Sequence, residues 1–272
     1  MFNLLRWCIL CLSLTVAATA ATITKVPFTI TKPGTYNLAK SFTYTGTGNA
    51  ITVEADDVII DLRGFTLTGN PEVLSANTTA AIFANARQNI TVRNGTIRSF
   101  FRGVFLEGSN STGGHLVESL RVQNCRFLGI QTKGRYTIVR NNQVLNTGGS
   151  TSLANDRYGI HVQGSNVRIL NNDVQEIIPT GSGPLTVGIW MIASPASVVE
   201  GNRVSQITNN SFSSSGIFLK ESAGTIVSQN TCISFYNGIS FAASDTAEYT
   251  DNKVSLCNVD YSGAAVDRGN NR

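Results

Sequence analysis

A short phrase that begins with a small residue, usually glycine, and continues with alternating apolar and polar positions recurs along the chain. Clear copies begin at Ala81, Gly103, Gly129, Gly159, Gly188, Gly216 and Gly238, with weaker copies at Ala50 and Gly263. Alternation with a period of two residues is typical of a β-strand that buries one of its faces. The pattern therefore predicts a short strand at each copy.

A second apolar phrase falls between these copies and contains a polar turn. Its clearest copies begin at Ile90, Leu120, Thr137 and Val167, with looser ones at Ser197, Thr225 and Glu248 and an early version at Ile59. Alignment brings asparagines into one column, Asn142, Asn172, Asn202, Asn230 and Asn252, and into a neighbouring column, Asn94, Asn124, Asn141 and Asn171. Asparagine tolerates the left-handed conformation of a turn, and stacked amides can hydrogen-bond to one another.

The phrases return about every 22–30 residues, which is the range of stacked solenoid repeats. One coil cannot bury its apolar face alone, so successive coils must stack about 4.8 Å apart around a shared core. We therefore predict an all-β solenoid of about eight coils, with three short strands per coil and an asparagine ladder at one turn.

The cadence of Gly-Ile-x-x-x followed by Val-x-x-Asn-x-x-Val resembles the repeat of pectate-lyase-like proteins, over roughly residues 45–268. The resemblance implies a right-handed parallel β-helix. It implies much less about activity, because the superfamily includes lyases, hydrolases, epimerases, adhesins and phage tail spikes.

The ends of the chain differ from the repeat. Arg6, the apolar run from Trp7 to Val16 and the small residues Ala18-Thr19-Ala20 predict a signal peptide over residues 1–20. Residues 21–48 lack the repeat and are predicted to cap the β-helix, which occupies residues 49–272. We therefore expect a secreted, periplasmic or cell-surface protein without membrane insertion after cleavage. The C-terminal edge of the stack needs a cover, and the polar tail or a partner copy in a homo-oligomer are the alternatives.

Composition excludes several classes of function. Only 14% of residues are charged and the net charge is +4, with no Lys/Arg cluster of the kind that binds nucleic acid. Three cysteines follow the signal peptide, Cys125, Cys232 and Cys257, and we expect small buried side chains without a disulfide, with Cys125 in place of an asparagine of the ladder. The two histidines stand alone, so we expect neither a metal site nor a cofactor.

The outward positions of the glycine-initiated strands form a column that is rich in aromatic residues: Thr52, Phe83, Phe105, Gln131, His161, Trp190, Phe218 and Ser240. A second outward column carries Glu54, Asn85, Glu107, Lys133, Gln163, Ile192, Lys220 and Ala242. Aromatic rings beside polar groups suit sugar recognition, because the rings pack on C–H faces and the polar groups bind hydroxyls. We predict a polysaccharide as the partner, with an acidic polysaccharide as the candidate to test. The predicted binding residues are Trp190, Phe218, Phe105, Gln131 and Lys220.

Variable segments precede several of these strands and predict loops at one corner of the coil: 68–79, 145–158, 175–187 and 205–215. Long loops on one side of a solenoid usually surround the binding face. The alternative is that these loops simply cover the aromatic residues.

A catalytic set is less evident than a binding face. The phrases Asn-Thr-Asp and Gly-His-Gly of the β-helix hydrolases are absent, as is the aspartate cluster of the pectate lyases. The best candidates are Asp156, Arg157 and His161, with Lys133 one coil earlier. A His or Lys base with an Arg that neutralises a uronate carboxylate would suit β-elimination or epimerisation. The residues leave open a polysaccharide lyase or epimerase, a non-catalytic adhesion module and a passive structural protein.

Overall fold

The computed structural model describes residues 20–70, 79–108, 111–149, 156–179, 185–207, 214–242 and 246–272. Every regular element in these residues is a β-strand, as the sequence predicts. The strands wind around one core as a right-handed parallel β-helix, and each coil contributes to three rows. No helix in this part of the chain is long and apolar enough to span a membrane.

The first row is a parallel sheet of ten strands built from the glycine-initiated phrases. Its strands are Phe28–Ile30, Ile51–Val53, Ala80–Asn85, Arg102–Glu107, Leu128–Lys133, Arg157–Gln163, Thr186–Ile192, Ser214–Lys220, Asn237–Phe241 and Val259–Ser262. We call the outer surface of this sheet the front face.

The second and third rows together form one sheet of eighteen strands. The second row contains Ala21–Ile23, Gly34–Leu38, Val58–Asp61, Ile138–Arg140, Arg168–Leu170, Val198–Glu200, Ile226–Ser228, Glu248–Thr250 and Val266–Asp267. The third row contains Phe42–Thr43, Thr66–Thr68, Gln143–Gly148, Asp173–Ile178, Arg203–Ser205, Thr231–Ile233 and Lys253–Ser255. Two longer strands, Ile90–Arg98 and Leu116–Gln123, run through both rows.

Eight coils with strands in every row run from Ile51 to Ser255, which confirms the predicted number. Residues 21–48, which lack the sequence repeat, place Phe28–Ile30 beside Ile51–Val53 and Gly34–Leu38 beside Val58–Asp61. They therefore extend the same sheets by one coil at the N-terminal end.

The core is a set of aliphatic columns that run along the axis of the helix. In the first row, the residue after each recurring glycine is fully buried and lies beside its equivalent one coil away, as Ile160 does between Ile130 and Ile189. Replacing one such isoleucine with alanine would cost roughly 2–5 kcal/mol, because the stack cannot collapse around the cavity.

The recurring glycine is required by a close approach between the first and third rows. A methyl group at Gly216 would lie 2.8 Å from the Sγ atom of Cys232 and 2.7 Å from the carbonyl oxygen of Gly238. At Gly188 it would collide with the side chain of Val204. Glycine therefore recurs in this phrase because a third-row side chain leaves no room for a Cβ atom there.

The turn between the second and third rows repeats the same backbone conformation. Left-handed φ values between 53° and 66° occur in successive coils at Asn94, Ser119, Asn141, Asn171, Gly201, Gln229 and Asp251. Asparagine and glycine adopt this conformation most easily, which explains their recurrence here.

The residue after this turn forms the predicted asparagine ladder. The backbone N–H of Asn172 donates to Oδ1 of Asn202 at 2.9 Å, and its side-chain amide donates to the same oxygen at 3.0 Å. The same pair of bonds joins Asn142 to Asn172, and equivalent bonds continue through Asn230 and Asn252. The ladder also includes Asn271, which accepts from the backbone N–H of Asn252 at 3.0 Å and which the repeat alignment missed.

Asn124 was assigned to the wrong column from the sequence. Arg121–Gln123 pairs with Gln143–Leu145, so Asn124 follows the third row and lies beside Asn146. Oδ1 of Asn124 accepts a hydrogen bond from the side-chain amide of Asn146 at 3.2 Å. Cys125 therefore does not replace an asparagine of the ladder. The assignment failed because Leu116–Gln123 runs through both rows without the Asn-Asn pair that marks the turn elsewhere.

All three cysteines of the described chain are free. Cys125 and Cys232 are buried, as expected, and burial raises the pKa of the Cys125 thiol to about 12. Cys257 is only partly buried, which corrects the prediction for that residue.

Candidate functional site

The outward column predicted on the front face exists in register. Neighbouring strands place the following residues side by side in order: Thr52, Phe83, Phe105, Gln131, His161, Trp190, Phe218 and Ser240. Parallel pairing with a period of two fixes this arrangement, because a shift by one residue would turn the aromatic side chains into the core.

Three of these side chains form one stack along the helix axis. The rings of His161 and Trp190 lie 4.7 Å apart at an interplanar angle of 16°, and those of Trp190 and Phe218 lie 6.5 Å apart at 3°. Tyr158, which sequence analysis did not select, packs against the same stack, 4.5 Å from Trp190 and 5.1 Å from His161. We call these four residues the aromatic stack.

The rings stack on each other, so their faces are largely covered by their neighbours and their edges point outward. The next coil after Phe218 carries Ser240, a small side chain, in the same column. The face of Phe218 on that side therefore has no aromatic neighbour in the column.

Phe105 lies in a second stack that is more enclosed. Its ring lies 5.7 Å from that of Phe83 at an interplanar angle of 6°. With Ala80 and Leu128 it forms an apolar cluster separate from the main core, and only 9% of its surface is exposed. Phe105 therefore supports the front face more than it offers contact area.

Within the described part of the chain, three buried polar atoms of the aromatic stack have no hydrogen-bond partner: Nδ1 and Nε2 of His161 and Nε1 of Trp190. Burial lowers the pKa of His161 to about 4, so the imidazole is neutral at pH 7. A neutral imidazole offers one donor and one acceptor, and the indole offers one donor. The stack therefore holds unused hydrogen-bonding capacity beside its apolar surface.

The second outward column is also confirmed by the register, which aligns Asn85, Glu107, Lys133, Gln163, Ile192 and Lys220. The side-chain amide of Gln131 donates to Oε1 of Glu107 at 3.2 Å, which connects the two columns. Lys220 is exposed and lies 3.8 Å from a carboxylate oxygen of Glu221. A polar margin therefore follows the aromatic column along the sheet.

Asp156 and Arg157 occupy fixed positions beside the aromatic stack. Asp156 accepts from the Tyr158 hydroxyl at 2.7 Å and from the backbone N–H of Leu185 at 2.8 Å. Arg157 is fully buried, with its guanidinium 5.5 Å from the centre of the Phe127 ring, and desolvation lowers its pKa. Burial, followed by the bond to Asp156, raises the pKa of Tyr158.

Of the four predicted catalytic residues, the structure brings Asp156 and His161 to the same aromatic stack through Tyr158. Lys133 lies on the neighbouring coil beside Gln163, two residues further along the strand than the partner of His161. The variable segments connect a third-row strand to the next first-row strand, but residues 71–78, 150–155, 180–184 and 208–213 within them fall outside the described residues. The alternative that these loops cover the aromatic residues therefore stays a prediction, because it depends on residues outside the described ranges.

Tyr158 and Arg102 are the residues that sequence reasoning missed. Both precede a recurring glycine, in a column that continues through Leu128, Val187 and Ser215. Strict alternation from the buried isoleucine would turn Tyr158 inward, but Gly159 itself faces the core, where a methyl group would meet the side chains of Val174 and Ile177. The residue before the glycine therefore faces outward, and Tyr158 and Arg102 contact the rings of Trp190 and Phe105. The repeat alignment contains this column, but the alignment alone does not show that its residues face outward.

The structure aligns with that of the periplasmic alginate epimerase AlgG with a TM-score of 0.51 at 13% identity, over 83% of this chain and 60% of the epimerase chain. A family model described as "Right handed beta helix region" matches residues 74–206. The fold is that of the pectate-lyase-like β-helix proteins.

Two further β-helix structures align at similar coverage. DFA-IIIase from Arthrobacter chlorophenolicus A6 has a TM-score of 0.49 at 13% identity, over 86% of this chain and 63% of that enzyme. The Dettilon tailspike protein has a TM-score of 0.49 at 12% identity, over 92% of this chain and 62% of the tailspike. This β-helix thus spans about 60–63% of the length of the three solved chains. No curated protein sequence matches it significantly.

A second family model, described as "Periplasmic copper-binding protein (NosD)", matches residues 146–272. Copper sites in proteins use His, Cys and Met ligands held close together. Among the described residues no group of three or more His, Cys, Asp or Glu side chains could hold a metal ion. Met191 is buried in the core, and Nδ1 of the buried His115 accepts from the backbone N–H of Ile90 at 3.3 Å. These residues do not fit a copper site.

Proposed function

We propose that this β-helix binds an extended polysaccharide along its front face, outside the cytoplasm. The observation that carries the proposal is the outward column of Thr52 to Ser240, which aligns aromatic side chains beside a polar column over eight successive strands. Eight strands at about 4.8 Å spacing give a surface of roughly 35 Å, long enough for several sugar residues.

The chemistry of the aromatic stack supports a sugar more than a purely apolar partner. Phe218 offers a ring face, while His161 and Trp190 contain buried polar atoms without partners. Leaving such atoms unpaired costs about 1–3 kcal/mol each, and a hydroxyl group can satisfy both donors and acceptors. A sugar that packs on Phe218 and reaches these atoms would remove that cost.

The sequence and the comparisons both support a location outside the cytoplasm. Residues 1–20 have the pattern of a signal peptide. Both the alginate epimerase that shares the fold and the family model over residues 146–272 are described as periplasmic. We propose that the protein is periplasmic or secreted and that its ligand, like alginate, is a polysaccharide.

Binding of alginate and polygalacturonate by affinity electrophoresis or calorimetry tests this proposal. We expect Phe218→Ala to weaken binding about tenfold or more, because a sugar–ring contact is lost. Trp190→Phe keeps the ring stack but removes the indole donor, so it should weaken binding without lowering the melting temperature. Tyr136→Ala is the matched control, because Tyr136 is 58% exposed on another part of the coil. Equal binding by all variants, or no binding by the wild type, would contradict the proposal.

A catalytic role is the second candidate, and the state of His161 favours it. Its imidazole is neutral, and both ring nitrogen atoms are buried beneath the front face without a hydrogen-bond partner among the described residues. As a base it would take the C5 proton of a uronate; in β-elimination the glycosidic oxygen on C4 then leaves as the C4–C5 double bond forms, whereas in epimerisation a proton returns to C5 from the opposite face. Lys133, Asp156 and Arg157 are the other charged groups that we propose for this role. Ultraviolet absorbance of an unsaturated uronate detects elimination, and proton exchange at the uronate detects epimerisation. Binding without either signal would identify a non-catalytic adhesion module.

A further inference from the structure

Arg102 occupies an aromatic cage at the edge of the front face. Its guanidinium carbon lies 4.7 Å from the centre of the Phe105 ring and 5.5 Å from the centres of the Phe101 and Phe127 rings. Phe101 and Phe127 are themselves stacked at 5.1 Å. Rings around a guanidinium restrict its movement and leave its N–H edges as the groups that can bind a ligand.

The cation in this cage lacks an anionic partner. No carboxylate of the described residues forms an ion pair with Arg102, and its Nε atom is buried without a hydrogen-bond partner. The nearest charged influence is Glu107 on the same strand, whose Oε1 already accepts from Gln131. Burial disfavours the charge of Arg102 and lowers its pKa, but a guanidinium stays protonated at neutral pH.

Arg102 is also placed beside the groups that would contact the rest of a sugar. It belongs to the same strand as Phe105 and Glu107, and the next strand along the stack carries Gln131 and Lys133 in the two outward columns. Donors and acceptors for hydroxyl groups therefore lie one coil away from a partly buried cation.

We propose that Arg102 forms a subsite for the carboxylate of a uronate residue, which makes an anionic polysaccharide the ligand of the front face. The inference rests on the proposed polysaccharide binding. A carboxylate is planar and matches two N–H groups of a guanidinium, and a guanidinium already held by rings loses little freedom when it binds. The cage explains why an arginine stands here without a carboxylate partner among the described residues.

The test compares polygalacturonate with the same polymer after chemical reduction of its carboxyl groups. We expect wild-type protein to bind the acidic polymer at least tenfold more tightly than the reduced one. Arg102→Gln should remove most of this preference while leaving binding of the reduced polymer nearly unchanged. Arg102→Lys, which keeps the charge but loses the planar fork, should retain only part of it.

Arg168→Gln is the matched control, because Arg168 is exposed on the second row and its loss changes the net charge equally. Equal binding of both polymers by wild type, or an equal loss of preference in Arg168→Gln, would overturn the Arg102 subsite while leaving polysaccharide binding in place. Failure to bind either polymer would instead contradict the proposed function. Melting temperatures identify any variant that fails to fold. If Arg102→Gln fails to fold, the preference of Arg102→Lys for the acidic polymer is compared with that of the wild type instead.

Discussion

At the scale of single residues, the unusual feature is a set of polar side chains buried with few or no partners. His115 uses only Nδ1, leaving Nε2 unpaired, and both ring nitrogens of His161 are unpaired. Desolvation lowers the pKa of each histidine to about 4, opposed at His115 by the charge of Asp56. Two groups that resist protonation make the folded protein sensitive to acid.

We predict that stability falls as the pH is lowered from 6.5 to 4. In this window the histidines bind protons in the unfolded chain but stay neutral in the folded protein, so protonation favours unfolding. Above pH 6.5 the histidines are neutral in both the folded and unfolded states, and their contribution to stability is constant. A shift from 6.5 to about 4 corresponds to about 3 kcal/mol for each histidine at the acid end. Denaturant unfolding between pH 7.5 and 4.5 measures the loss. His161→Phe should reduce it by about half, and an unchanged slope would contradict the assignment.

At the scale of elements, the turn between the second and third rows combines two different uses of asparagine. Asn171 is exposed and supplies a left-handed backbone with φ of 53°. Asn172 is buried and supplies the ladder, accepting from Asn142 and donating to Asn202 and to the carbonyl oxygen of Val139. Adjacent residues of the same type therefore contribute by different mechanisms.

We predict that replacing Asn172 lowers the stability strongly and that replacing Asn171 changes it little. Asn172→Ala should lower the free energy of unfolding by about 2–4 kcal/mol, because it leaves a buried carbonyl and a buried N–H without partners. Asn171→Gly should change it by less than about 1 kcal/mol, because glycine adopts the same φ without strain. Denaturant unfolding of the two variants provides the comparison, and a larger loss in Asn171→Gly would be inconsistent with the ladder.

At the scale of the whole molecule, each coil contacts mainly the coils before and after it. In repeat architectures of this kind stability is close to a sum of local and neighbour terms. Residues 268–272 lie beside the coil that contains Asn252: the carbonyl oxygen of Arg272 accepts from the backbone N–H of Val254 at 2.6 Å, and Asn271 continues the ladder. The predicted polar tail thus lies on the final coil, and a homo-oligomer through this edge stays a prediction.

We predict that Asn271→Ala has a local effect. The backbone N–H of Asn252 would lose its acceptor, so its hydrogen exchange should accelerate strongly, together with that of Val254. Exchange at Asn142 and Asn172, several coils away, should stay the same. Acceleration across all coils would indicate a single cooperative unit instead.

The sequence alone determined the parallel rows, the number of coils, the buried asparagine ladder and the order of the aromatic column. Each depends on a short-range period of alternation combined with a repeat length, and both are written in the chain. It could not assign Asn124 correctly, because Leu116–Gln123 runs through both rows without the Asn-Asn turn. It also could not find Tyr158 or Arg102, because the following glycine faces the core and so interrupts the alternation.

Only the tertiary structure decided what the front-face side chains do. It stacked His161, Trp190 and Phe218 on each other, bound Asp156 to Tyr158 and enclosed Arg102 among three phenylalanine rings. These contacts join residues from different coils. Their geometry depends on the spacing between strands and on the direction in which the residues around each recurring glycine face. The pattern of residues along the chain contains neither of these.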